Sequence, residues 1–171
     1  MKFYFRQKAR LITDAYLLCD CEQNVVYEVK SKFSPAKTFI IYEKTGEIVG
    51  KVVQKPFSSE AIYGFYLHGD KVGELSAKID APPRDMREFV VPDYSPYFVN
   101  FTLDYKGWSM ICDSRERGYE ISAKDGQSVA RMTKRESVTD LYEIDVFDPE
   151  DLLSVLMLAI CIDAHKSRRG L

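Results

Sequence analysis

Histidine occurs only twice in this chain of 171 residues, tryptophan once and cysteine four times. Each scarcity excludes a class of chemistry. His68 and His165 lie far apart, so a zinc centre would need nearly every cysteine and histidine to converge, and no metal is expected. Cys19, Cys21, Cys112 and Cys161 are irregularly spaced, and the first two form Cys-x-Cys rather than Cys-x-x-Cys. That pattern fits reduced thiols rather than a disulfide scaffold. The Gly-x-Ser-x-Gly elbow, the phosphate-binding glycine loop, His-Glu-x-x-His and the dinucleotide fingerprint are all missing, so no cofactor is expected and an enzyme is disfavoured.

An excess of one charge is also lacking. The 24 basic and 26 acidic residues leave a formal charge of −2, which gives no global field toward nucleic acid or anionic lipid. Nucleic acid is therefore not an expected partner, and any anion site must be a local patch. The opening Met1-Lys2-Phe3-Tyr4-Phe5-Arg6 alternates charge and aromatic and has no continuous apolar h-region. The expectation is a cytoplasmic chain that begins here without a secretory leader.

What is present is a repeat. Gly46, Gly69 and Gly126 are each followed three residues later by a valine (Val49, Val72, Val129). A small residue comes next (Gly50, Gly73, Ala130), then a charge (Lys51, Glu74, Arg131), then an apolar residue (Val52, Leu75, Met132). Gln23 opens a fourth copy with Val26, Tyr27, Glu28 and Val29. The glycines, and Asn24 beside Gln23, are read as the positive-φ residues of hairpin turns, with Asp125-Gly126 favouring a type I′ turn. Runs rich in aromatic and β-branched residues flank the turns at Thr38–Glu43, Glu47–Gln54, Ala61–Leu67, Tyr97–Asp104, Gly118–Ala123 and Thr139–Val146. With the shorter runs this makes about a dozen antiparallel strands, because the connections are too short for crossover helices.

The end of the chain changes character. Asp148 suits an N-cap, Pro149 the first helical position, Glu150 and Asp151 the positive helix end, and His165, Lys166, Arg168 and Arg169 the negative end. Between them, residues 152–162 are apolar all the way round, so the helix must be buried on every side. Eleven residues rise roughly 16 Å, about half a hydrocarbon core, which makes this a core element rather than a membrane span. The predicted fold is mainly β: a closed antiparallel barrel of about 12 strands around a central hydrophobic C-terminal helix. One domain over 1–171 is expected, with barrel strands in 2–146 and the core helix over 149–166. Gly50, Gly73 and Ala130 are either places where the wall makes room for the helix or ordinary small residues of hairpins.

Several motifs together resemble the LURP-one-related family, whose fold is that of the tubby C-terminal domain. They are Asp148-Pro149-Glu150-Asp151 with the following 152–163, Tyr119-Glu120-Ile121, Tyr142-Glu143-Ile144, Gly126-Gln127-Ser128-Val129-Ala130 and the opening Lys2-Phe3-Tyr4-Phe5-Arg6-Gln7-Lys8. The resemblance covers nearly the whole chain and implies a twelve-stranded barrel threaded by a hydrophobic helix. Phospholipid scramblases are thought to share that fold. In tubby proteins the domain docks on phosphoinositide head groups through a basic pocket, whereas most members of the present family have no settled activity. The chain departs from the pattern at Gln23, where a glycine is expected, and in a Pro-rich stretch over 80–96.

Three candidate sites follow. The repeat sets a cation nine residues after each opening position, at Lys32, Lys55, Lys78 and Arg135. By strand alternation these share a face with Glu28, Lys51, Glu74 and Arg131. With Lys30, Lys51, Arg131 and Lys134 they form either a phosphate-holding basic patch or an ordinary solvated face that protects strand edges. The 80–96 stretch is either a binding loop, with Arg84, Arg87, Phe89 and Tyr94 as contacts, or disordered. Cys161 and His165 lie one turn apart as a conceivable thiolate–imidazolium pair, against inert packing and a helix-end dipole partner. Trp108, after the Lys106-Gly107 turn, reads as core. The leading expectation is a non-enzymatic binding module that recognises anionic phospholipid head groups, or a protein partner, peripherally at a membrane face without a transmembrane segment. The alternative is a soluble protein-interaction scaffold using the 80–96 loop, and the third reading is an enzyme with an external cleft.

Overall fold

The computed structural model describes residues 1–8, 14–32, 36–58, 60–80, 98–113, 117–135 and 141–169. Twelve strands precede one helix. They are β1 (Lys2–Lys8), β2 (Ala15–Cys19), β3 (Val25–Lys32), β4 (Thr38–Glu43), β5 (Ile48–Gln54), β6 (Ala61–Leu67), β7 (Asp70–Asp80), β8 (Phe98–Asp104), β9 (Ser109–Cys112), β10 (Gly118–Ser122), β11 (Ser128–Arg135) and β12 (Leu141–Val146). A 3₁₀ turn at Pro149–Asp151 leads into α1 (Leu152–Arg169). All described pairings are antiparallel, in the order β8-β7-β6-β5-β4-β3-β2-β1-β12-β11-β10-β9. The first and last strands therefore lie side by side, with Phe3 opposite Ile144.

The barrel is nearly closed rather than fully closed. Although β8 and β9 follow one another in the chain, they are the two ends of the order and share no ladder among the described residues. Side chains span the seam instead: the Cys112 thiol donates to the Val99 carbonyl at 3.7 Å, and Phe101 meets Tyr119 edge-on at 6.0 Å.

Period-two alternation decides which side chains face inward. On β1, Phe3 and Phe5 are buried while Lys2 is exposed. Phe5, Tyr16, Leu18, Phe39, Ile41, Phe65, Tyr119 and Ile121 line the interior, and α1 fills it. Every residue from Val155 to Ile162 is at most 1% exposed, as an all-round apolar helix requires. Asp148 caps the entry as expected, accepting from the Glu150 amide at 3.0 Å, and Pro149 follows it. The helix runs three residues beyond the expected end, to Arg169. Trp108 is core, 7% exposed and edge-on to Tyr105 at 5.7 Å.

The repeat is visible as geometry. In the hairpins β2–β3, β4–β5, β6–β7 and β10–β11 the register slips just before the turn, at Leu18/Cys19, Ile41/Tyr42, Phe65/Tyr66 and Ile121/Ser122. Two turn expectations are corrected. Gln23 itself, and not Asn24, takes the left-handed conformation at φ 70°, where the other copies have glycine. The Asp20 carboxylate makes this tolerable by accepting from the amides of Glu22 and Asn24 at 2.9 Å each. Asp125-Gly126 is not a type I′ pair, because only Gly126 has positive φ; its loop has the Gly126-to-Ala123 and Ala123-to-Gln127 bonds of a longer bulged turn. His68-Gly69 and Lys106-Gly107 are the pairs with positive φ at both residues.

Of the two readings of the small residues, room for the helix is not the one that fits Gly73 and Gly50. A Cβ at Gly73 would stand 2.6 Å from the Asp104 carbonyl and 2.7 Å from the Tyr105 ring, and one at Gly50 would crowd Leu67 and the Tyr66 carbonyl, each at 3.3 Å. Neighbouring strands and the Tyr105 ring, rather than the helix, occupy that space.

Candidate functional site

Strand direction decides where the repeated cations go. Val146 ends β12 at the mouth where α1 enters; there the Met1 terminal ammonium donates to the Val146 carbonyl and the Val146 amide donates to the Met1 carbonyl. With every neighbour antiparallel, β1, β3, β5, β7 and β11 all start at this entry end and finish at the opposite, exit end, toward which α1 runs. Lys32 closes β3, Lys55 directly follows β5, Lys78 lies near the end of β7 and Arg135 closes β11. All four therefore stand at the exit end. A position nine residues beyond each turn is one strand length away from it, so a sequence repeat becomes a ring of cations on one rim.

The remaining candidates divide. Lys134 neighbours Arg135 at the same end but alternates to the inner side, opposite the buried Tyr142. Lys30 lies two residues back from Lys32 on the outer wall, 3.0 Å from Glu28 and with its ammonium 4.9 Å from the Tyr42 ring centre. Lys51 and Arg131 are mid-strand. Lys51 rests over Tyr66 at 4.7 Å, and Arg131 pairs with Glu120 at 2.9 Å. Arg135 shares Glu143 with Lys2. The Lys2 hydrogen bond first, helped by the Arg135 charge, holds the Glu143 carboxyl below its ordinary range. Arg84, Arg87, Phe89 and Tyr94 lie outside the described residues.

The entry end has the opposite sign. Its turns carry Asp20, Glu22, Glu43, Glu47, Asp70, Asp125, Asp148, Glu150 and Asp151, against Lys44, Lys71, Lys106 and Lys124. Among the described residues the exit end carries Lys8, Lys37 and Arg117 beside the four repeated cations, against Asp14, Glu60, Asp80 and Asp113, so the near-neutral net charge of the chain covers a polarity along the barrel axis.

Sequence reasoning missed a second polar group, inside the exit mouth. Asp163, His165 and Lys166 are at most 7% exposed, the last two being residues that the sequence assigned only to the negative helix end. The Tyr16 hydroxyl donates to Asp163 at 2.9 Å, and burial followed by the Asp163 charge pushes the Tyr16 phenol far above its usual range. His165 meets Phe101 edge-on at 5.9 Å, and the Lys166 ammonium lies 5.4 Å from the Tyr119 ring centre and 5.8 Å from that of Tyr142. The one available signal was the spacing of Asp163 and Lys166, one turn apart at the end of an otherwise apolar run.

The Cys161 and His165 pair is not arranged for nucleophilic catalysis. Cys161 is fully buried, and desolvation pushes its thiol well above the ordinary value, the opposite of an activated thiolate. Among the described residues no three His, Cys, Asp or Glu side chains gather as a metal site, and no helix is long and apolar enough to cross a membrane.

Comparisons with known proteins come last. A family model described as LURP-one-related matches residues 1–163. A solved structure of a protein from Arabidopsis thaliana superposes with a TM-score of 0.61 over 96% of this chain and 91% of that one, at 11% identity, a likeness of fold alone. A search of curated proteins finds no match.

Proposed function

Because this chain belongs to the LURP-one-related family and has the family's helix-filled barrel, we propose that it is a non-enzymatic binding module whose exit rim docks on anionic phospholipid head groups. The carrying observation is the convergence of Lys32, Lys55, Lys78 and Arg135 at one end of a barrel whose other end is acidic. A cation near an anionic membrane surface contributes about 1 kcal/mol, so a handful at one rim gives useful but salt-sensitive attraction. The acidic end orients the approach, because only one rim lowers its energy near negative charge. The interior is occupied by α1, and the reading therefore assigns recognition to the rim.

The reading is tested by co-sedimentation with phosphatidylcholine vesicles containing phosphatidylserine, at low and physiological salt. Retention that falls as salt rises, and is lost in the double variant Lys32→Glu, Lys55→Glu, is the expected result. A wild-type chain that stays in the supernatant at low salt overturns the proposal.

A further inference from the structure

Phe57 is 99% exposed, the most exposed of the large apolar side chains among the described residues. It also holds φ at +56°, a conformation that a bulky side chain rarely adopts and that glycine would adopt without strain. The residue follows Lys55 and Pro56 in the connection from β5 to β6, which the Lys55 amide closes by donating to the Ile62 carbonyl at 2.8 Å. Proline fixes its own φ and the closing bond fixes the stem, and the ring stands in solvent. Among the described residues no packing compensates the strain, which points to use by something outside.

Position decides what that something is. The connection lies at the exit end, beside the rim cations. Among the described residues the other exposed large apolar side chains are elsewhere: Met1, Val25, Ile48, Val72 and Phe147 are at the acidic entry end, and Ile111 is on β9. An anionic bilayer repels the entry end and attracts the exit end, so among the described residues Phe57 is the apolar side chain that electrostatic docking brings to the acyl boundary. An aromatic ring next to lysine suits that boundary, with the ring below the head groups and the ammonium among the phosphates.

We infer that Lys55-Pro56-Phe57, at the start of the β5–β6 connection, is a membrane-insertion point, in which Phe57 enters the apolar edge of an anionic bilayer while Lys55 stays at head-group level; this rests on the docking function proposed above. Two variants of the full chain test it on phosphatidylcholine vesicles with and without phosphatidylserine. In Phe57→Trp the new indole reports its own surroundings, because Trp108 is buried near the entry end and the wild type supplies its background. The expected result is a blue shift on anionic vesicles and quenching by brominated acyl chains, neither of which the wild type shows. Phe57→Gly relieves the strained φ and removes the ring. It is expected to hold or raise the melting temperature while vesicle partitioning falls about tenfold, the scale of one aromatic side chain leaving an apolar phase.

The outcomes separate the two claims. Wild type retained on anionic vesicles, with Phe57→Trp unshifted and Phe57→Gly binding equally well, overturns insertion and leaves electrostatic docking intact; a ring that serves a protein partner instead gives this result. A lowered melting temperature in Phe57→Gly makes the ring structural and overturns insertion as well. A wild type not retained at all overturns both the docking function and the insertion.

Discussion

A methyl group is enough to disturb the wall at Gly73, where the Asp104 carbonyl and the Tyr105 ring already fill the space. Tyr105 cannot easily retreat, because its ring is set edge-on against Phe65 at 5.4 Å and its hydroxyl bonds to Ser154 on the helix at 2.9 Å. Gly73→Ala is therefore expected to destabilise by about 1–3 kcal/mol in urea denaturation, as overpacking does, while Gly126→Ala loses only through its positive φ. Glu143 gives a pH signature at the same scale. Its folded pKa lies below its unfolded value of about 4.3, so its contribution is complete at neutral pH and fades as pH falls through the folded value. Glu143→Gln is expected to lower stability at pH 7 and to flatten the acid limb of the stability–pH curve below about pH 4.3. An unchanged acid limb in a pH series of melting temperatures would contradict this assignment.

Among the elements, α1 holds the largest share of the core. Its eight large apolar side chains over 152–162 contribute on the order of 12 to 24 kcal/mol of gross burial, an upper estimate because unfolded chains are partly compact. That is comparable to the whole net stability of a typical domain. A chain ending at Asp148 is accordingly expected to show no cooperative thermal transition in calorimetry, and a sharp one would mean that the strands close without the helix. The seam is the weak counterpart. With no ladder between β8 and β9, their facing amides lack the sheet partners that protect every other adjacent pair. Hydrogen exchange is expected to be faster in Ser109–Cys112 than in β4, which has ladders on both sides.

At the scale of the whole molecule, the proposed docking would turn on polarity rather than on net charge. Reversing acidic residues at the entry end, as in Glu22→Lys with Glu47→Lys, raises the net charge as much as reversing rim cations lowers it. If orientation governs docking, this variant is expected to bind anionic vesicles no more than about twofold better than wild type, because its new charges sit roughly a barrel length away, beyond a Debye length of about 8 Å at physiological salt. A gain as large as the loss in Lys32→Glu, Lys55→Glu would show that only total charge matters.

The amino-acid order determined a great deal by itself. Strand limits such as Thr38–Glu43 and Ala61–Leu67 are set by runs of β-branched and aromatic residues between turns, and the buried helix by an apolar stretch with polar caps. These are local properties, and local patterns carry them. Three matters were decided only in three dimensions. Which end of the barrel each cation occupies depends on strand direction summed over the whole sheet, so Lys32 and Arg135 stand on the same rim although 103 positions separate them. The seam depends on two strands that adjoin in sequence failing to pair, and the burial of Asp163, His165 and Lys166 depends on how far the wall extends past the apolar run. Chain-wide closure sets all three, and no short window of residues contains it.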